Sequence, residues 1–318
     1  MTELDTRRIG PSEQAIRTVL NAILPGSALV SIRRMTGSFT NDAYGVEAIS
    51  GTGTRFRVVV RRYAPFGGDR SAKAKTEFHG LGLLHTHGLP VPEPLYLDED
   101  GAVLGAPAIV MSFLPGHQVL EPPDPLQYAR RLTLMLVKIH AVPFNDADRE
   151  FLLDANADSL WFLKRKIIPN RIAGHELGPD VWRATKDLAA SALPVPAVVS
   201  HCDFQPGNIL WAGGEIAAVI DWEEAGYADP GLDLAYTRMD LTLRGMHDAA
   251  AHLVQVYEDE MGHPTENLAL WELAAGTRLM PDPAFVAGEW TALGAHRCTP
   301  ASVRENLKVF IEDALRRR

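Results

Sequence analysis

With 318 residues, 46% of them apolar and 22% charged, the chain is long enough for two hydrophobic cores and has the composition of a soluble globular protein. A formal charge of −9 opposes phosphate backbones, and the basic runs Arg33-Arg34, Lys164-Arg165-Lys166 and Arg316 to Arg318 are short, so no nucleic-acid partner is expected. Two cysteines, Cys202 and Cys298, are too few for a disulfide framework or a structural zinc site. Met1 to Gly10 lacks the apolar core of a secretory signal. The longest apolar stretch, Ala102 to Leu114, falls short of the ~20 residues of a membrane helix, so a cytoplasmic chain with no membrane partner is expected.

In chain order, Ile16, Val19, Leu20 and Ile23 recur at helical spacing behind Ser12, a plausible N-cap, and Pro25-Gly26 ends that helix. Three strand-like runs follow, Leu29 to Met35, Ala43 to Ile49 and Arg55 to Tyr63, the last two joined by Gly51-Thr52-Gly53. A helix is expected from Arg70 to His85, closed by Gly88 and Pro90, then strands at Pro94 to Leu97 and Ala108 to Phe113. Beyond Leu114-Pro115-Gly116 helical periodicity dominates, most clearly from Asp124 to His140. Strand signals return only between Val195 and Trp222. The reading is an α+β chain with a five-stranded antiparallel lobe over residues 1–114 and a larger, mostly helical lobe over residues 115–318.

The segment His201-Cys202-Asp203-Phe204-Gln205-Pro206-Gly207-Asn208 lies between two apolar runs and has the spacing H-x-D-x-x-x-x-N. An aspartate at the end of a strand can accept a hydroxyl proton, and an asparagine returning from the same loop can offer a metal its amide oxygen. Asp221 ends the run Ile216 to Ile220, and the Gly213-Gly214 turn should fold that run back on Ile209 to Trp211, bringing Asn208 and Asp221 together. One carboxylate and one amide oxygen suit Mg²⁺, a hard cation that completes its shell with water and nucleotide phosphates.

On these residues the chain resembles the aminoglycoside phosphotransferase and choline kinase-like family, whose fold is a protein-kinase-like bilobal one. The resemblance runs over roughly residues 28 to 240 and is strongest from His201 to Asp221. It continues through Trp222-Glu223, Gly226, Asp229-Pro230 and Asp233-Leu234-Ala235.

The resemblance implies Mg²⁺-dependent transfer of the γ-phosphate of ATP or GTP to a small-molecule hydroxyl, with Asp203 meeting the hydroxyl and Asn208 and Asp221 holding the metal. It places Gly37, Ser38, Phe39, Thr40 and Asn41 in a loop over the nucleotide, Arg61 on its phosphates in place of the usual lysine, and Glu77 behind that cation. Backbone groups of Ser112 and Leu114 would meet the base. It makes His201 and Asp233 props of the catalytic loop; Cys202 reads as a small buried filler, with no basic neighbour evident in sequence.

The acceptor is expected to be a small molecule, with positive charge anticipated from Glu223, Glu224, Asp229 and Asp240 after the metal aspartate. Antibiotics and metabolites such as choline, homoserine or a sugar are both open, as are a monomer and a homodimer. A regulatory pseudokinase is the alternative of another class, suggested by the arginine at position 61.

Overall fold

The computed structural model describes residues 10–35, 41–63 and 69–318. It divides into two compact units, Met1–His85 with Val91–Leu114, and Thr86–Pro90 with Pro115–Arg318. The short segment 86–90, counted with the first lobe on sequence grounds, belongs with the second unit, where Val219 N donates to Pro90 O at 2.8 Å.

The first unit is built from α1 (Glu13–Ile23), β1 (Ala28–Arg34), β2 (Asp42–Ile49), β3 (Arg55–Arg62), α2 (Arg70–Thr86), β4 (Pro94–Asp98) and β5 (Ala108–Ser112). Ser12 caps α1 by accepting from Ala15 N, as its position predicts. The five strands form an antiparallel sheet in the order β1-β2-β3-β5-β4. Alternation decides the faces: Val58 and Val60 of β3 join Ile16, Val19 and Leu20 of α1 in one buried cluster. Arg61, out of phase with those valines, stands on the opposite face and reaches Glu77 of α2.

The second unit comprises α3 (Pro125–His140), β6 (Leu153–Asp154), α4 (Ala155–Ser159), α5 (Asn170–Ala173), α6 (Gly178–Ala190), β7 (Val198–Ser200), β8 (Ile209–Ala212), β9 (Glu215–Val219), β10 (Gly226–Ala228), α7 (Gly231–Leu243), α8 (His247–Met261), α9 (Leu268–Arg278), α10 (Ala284–Ala292) and α11 (Pro300–Arg316). Asp124 caps α3 by accepting from Gln127 N, with Pro125 at the first helical position, where its missing N–H costs nothing. Helix α3 packs on α8, and α7 on α8, α9 and α11. Glu272 of α9, fully buried, is neutralised by Arg238 of α7 at 2.6 Å and by Arg317 just past α11.

Strands also occur where the sequence signals none. β10 lies between β6 and β7, parallel to the first and antiparallel to the second. Elements of two or three residues are too short for alternation to register, and their pairing is set by the chain around them. The β8–β9 hairpin does follow its sequence signal: Gly213 and Gly214 take φ of 58° and 81°, the left-handed pair that a tight two-residue turn requires.

Candidate active site

The loop that carries Asp203 leaves β7 at Ser200 and is held by α7. Asp233, in the first turn of α7 and fully buried, accepts from His201 N at 2.9 Å and Cys202 N at 2.8 Å. Its Oδ2 also faces His140 Nε2 at 3.3 Å, and His140 Nδ1 meets Tyr257 Oη at 2.7 Å. Turning two consecutive amides toward one carboxylate forces Cys202 into the left-handed region, φ 65°. A non-glycine residue there costs roughly 1–2 kcal/mol, a strain offset by the two charge-assisted bonds.

His201 is buried and serves as a pin. Its Nε2 donates to Ile220 O at 3.0 Å while its Nδ1 accepts from Asp203 N at 3.3 Å, a pairing that needs the neutral Nε2–H tautomer. Burial holds its pKa below the ordinary histidine value, which favours that neutral form. Trp222 packs on the ring at a centroid distance of 4.3 Å, tilted by 44°, and is itself fully buried.

Asp203, Asn208 and Asp221 converge through backbone and side-chain bonds. Asn208 Nδ2 donates to Asp203 O at 2.9 Å and to Asp203 Oδ2 at 3.0 Å, closing the loop on itself. Ile220 N donates to Asn208 O at 2.9 Å, continuing the β8–β9 register, so Asp221 follows directly on a residue bonded to Asn208. Asp221 takes φ 68°, the second strained backbone position in the site. With its amide nitrogen committed to Asp203, Asn208 presents its oxygen elsewhere. Amide and carboxylate oxygens are hard donors of the kind Mg²⁺ takes. Among the described residues there is no group of three or more His, Cys, Asp or Glu side chains placed to hold a metal ion.

Asp203 has its pKa raised to about 7, first by burial, against the lowering effect of Arg278. Arg278, in the last turn of α9, was given no role by sequence reasoning. Its Nη1 donates to Cys202 O at 3.0 Å, its Nη2 to Glu224 Oε2 at 3.3 Å, and Nη2 lies 4.0 Å from Asp203 Oδ1. Its guanidinium stacks on Tyr236, 4.7 Å from the ring centroid. The basic neighbour that sequence did not reveal for Cys202 is therefore present, yet burial pushes the thiol pKa well above its ordinary value and the residue remains a filler.

Two of the four carboxylates expected on the acceptor side are committed elsewhere. Asp229 accepts from Gly231 N and Asn267 Nδ2 at 2.8 and 2.9 Å, and Asp240 pairs with Arg244 at 3.0 Å, both buried. These short-range partners make them structural, a correction to the acidic patch read from sequence. Glu224 faces Arg278.

In the first unit, Arg61 and Glu77 form a buried pair, Nη1 to Oε1 at 3.4 Å and Nε to Oε2 at 3.3 Å, and Tyr63 Oη donates to Glu77. Asn41 is buried ahead of β2. Gly37, Ser38, Phe39 and Thr40 lie outside the described residues. Ser112 N already donates to Glu93 O at 2.9 Å, so that amide is not open to a base and its carbonyl is the group left to serve one; Leu114 follows β5 and is half-buried.

A two-lobed α+β architecture with an Asp, an Asn and an Asp on one pinned loop and hairpin defines a protein-kinase-like class. The chain belongs to the Phosphotransferase enzyme family, whose profile matches residues 31–269. It is 27% identical over 238 residues to the viomycin phosphotransferase of Streptomyces vinaceus, covering 69% of this chain and 76% of that protein. It is 30% identical over 165 residues to the homoserine kinase of Methylocella silvestris, covering 49% of each. It spans about half or less of the length of the first curated relatives it matches. A thermostable mutant of the aminoglycoside phosphotransferase APH(4)-Ia has the same fold, with a TM-score of 0.60 at 17% identity over 95% of this chain and 99% of that one. That enzyme is also known in a ternary complex with AMP-PNP and hygromycin B.

Proposed function

We propose that the chain is a magnesium-dependent kinase that moves the γ-phosphoryl group of ATP or GTP to the hydroxyl of a small molecule. The observation that carries this reading is the loop from His201 to Asn208, locked by Asp233 and tied through Ile220 to Asp221. A pseudokinase would not need all three of Asp203, Asn208 and Asp221. Arginine at position 61 keeps its partnership with Glu77 and can grip phosphate oxygens through its fork of N–H donors.

Asp203 accepts the acceptor's hydroxyl proton as the hydroxyl oxygen bonds to the γ-phosphorus. The bridging oxygen leaves with its electron pair on the nucleoside diphosphate. Asn208 and Asp221 would hold Mg²⁺, which when bound neutralises charge on the phosphates. Arg61, backed by Glu77, serves the phosphates, Asn41 covers the nucleotide, and the Ser112 carbonyl with Leu114 meets the base. Positioning and electrostatics supply most of the rate. That the structurally similar APH(4)-Ia binds AMP-PNP supports a nucleotide co-substrate.

Acceptors open to such a site include aminoglycosides and other antibiotics, with resistance as the consequence, and metabolites of the homoserine type. We further propose a cytoplasmic monomer or homodimer that engages neither nucleic acid nor membrane; no helix among the described residues is long and apolar enough to cross a bilayer. The test is nucleotide consumption with ATP and GTP, with and without Mg²⁺, against aminoglycosides, macrolides, choline and small hydroxylated acids, with products identified by mass. Absence of magnesium-dependent nucleotide binding would end this reading.

A further inference from the structure

The second unit carries a cleft of about 190 Å³. Cys202, the chain neighbour of Asp203, lines it, as does Arg278 at 4.0 Å from the Asp203 carboxylate. Its charged lining is balanced: Asp158 and Glu224 against Arg171 and Arg278. Trp161 and Tyr236 contribute apolar surface.

Arg171 is occupied, donating to the carbonyls of Thr277 and Arg278 at 3.1 and 2.5 Å, where it caps the C-terminal end of α9. Arg278 is held differently. Its guanidinium is seated on Tyr236 and on the Cys202 carbonyl, yet 38% of the side chain stays accessible. A guanidinium has five N–H donors in a planar fork, more than its bonds to Cys202, Glu224 and Tyr236 use.

A multiply cationic acceptor would need an excess of carboxylates in this lining. Here a cation stands within ion-pair distance of the proposed base, where it would repel an ammonium next to the reacting hydroxyl.

Resting on the kinase reading, we propose that the acceptor is a small hydroxy acid whose carboxylate is bound by the guanidinium of Arg278 while its hydroxyl reaches Asp203. The planar fork matches a carboxylate, and the aromatic bed of Tyr236 fixes the fork's plane. Glu224 fills the place of that carboxylate in the acceptor-free enzyme, bonded to the same Nη2. The carbon chain of the acceptor would lie along Trp161 and Tyr236. Arg278 is thus a specificity residue for the reaction, placed on α9, where family-type motifs give no warning of it.

The experiment compares short ω-hydroxy carboxylates, with and without an α-amino group, with their methyl amides and with kanamycin and hygromycin B, using the full chain with Mg-ATP and Mg-GTP. The wild type should prefer the acid over its amide in kcat/KM. Arg278→Met should cut kcat/KM for the acid roughly 10- to 100-fold more than for the amide, the span of a charge-assisted hydrogen bond. Arg278→Lys should keep part of the preference. Should Arg278→Met fold poorly, Glu224→Gln decides by sign. It should lower KM for the acid by releasing Arg278, whereas a cationic acceptor would bind more weakly to that variant.

Equal loss on acid and amide in Arg278→Met would make the arginine a transition-state group and overturn the proposal. So would phosphorylation of the aminoglycosides with none of the acids, or of no compound in the set by an enzyme that binds Mg-nucleotide. Those outcomes leave the kinase reading standing, whereas failure to bind Mg-nucleotide removes the kinase reading itself.

Discussion

Replacing Asp233 by asparagine keeps the shape of the side chain and removes one of its two acceptor oxygens. In the wild type those oxygens take the amides of His201 and Cys202 at 2.9 and 2.8 Å in a fully buried place. Whichever way the new amide turns, its NH₂ faces one of the backbone N–H groups, donor against donor. A charge-assisted bond is worth about 1.5–3 kcal/mol, and a buried donor left unmatched costs about 1–3 kcal/mol, so a loss of about 3 kcal/mol is expected. Trp222, packed on His201, is one of six tryptophans that report unfolding: urea unfolding followed by tryptophan fluorescence should show an earlier midpoint with little change in slope. Phosphoryl transfer should fall about 10²-fold, the scale of misplacing a reacting group by an ångström. An Asp233→Asn protein that unfolds at the wild-type urea concentration would refute the claim that this carboxylate locks the loop.

Glu77→Gln leaves Arg61 without its buried counter-charge, and removing one partner of such a pair costs about 3–5 kcal/mol; thermal melts should fall, and calorimetry should show weaker nucleotide binding. Asp221→Ala should erase the dependence of nucleotide affinity on Mg²⁺, seen as matching binding isotherms with and without the ion. The raised pKa of Asp203 sets a pH dependence of stability in magnesium-free buffer. The folded chain holds this proton more tightly than the unfolded one, so the stability it contributes is full below the ordinary value of 3.8 and is lost as pH rises through about 7. Asp203→Asn should therefore melt above the wild type at pH 8 and alongside it well below pH 3.8; 39% exposure of the Asp203 side chain keeps the gain modest.

The parts of the site legible in sequence are those in which local chemistry and topology coincide. Gly213-Gly214 announces the β8–β9 hairpin because few other residues accept its left-handed pair, and that hairpin alone brings Asp221 back to Asn208. Ser12 and Asp124 mark helix starts because their side chains accept from the backbone three residues on. Strands β6 and β10 went unread because two or three residues carry no period. Asp229 and Asp240 looked like acceptor ligands because a carboxylate's partner is invisible in sequence; Asn267 and Arg244 decide otherwise. Arg278 was missed for the same reason in reverse. Nothing in Gly276-Thr277-Arg278 distinguishes it from any arginine ending a helix, and only the packing of α9 on α7 brings it to Asp203.

Asp203→Asn tests the central claim most directly, since the substitution keeps the size of the side chain and the folded loop while removing the oxygen that takes a proton. Titration calorimetry should give Mg-nucleotide affinity close to that of the wild type, and phosphoryl transfer to the accepted substrate should fall by roughly 10²-fold or more, the scale of losing a positioned general base. An Asp203→Asn enzyme that turns over at the wild-type rate would contradict the account.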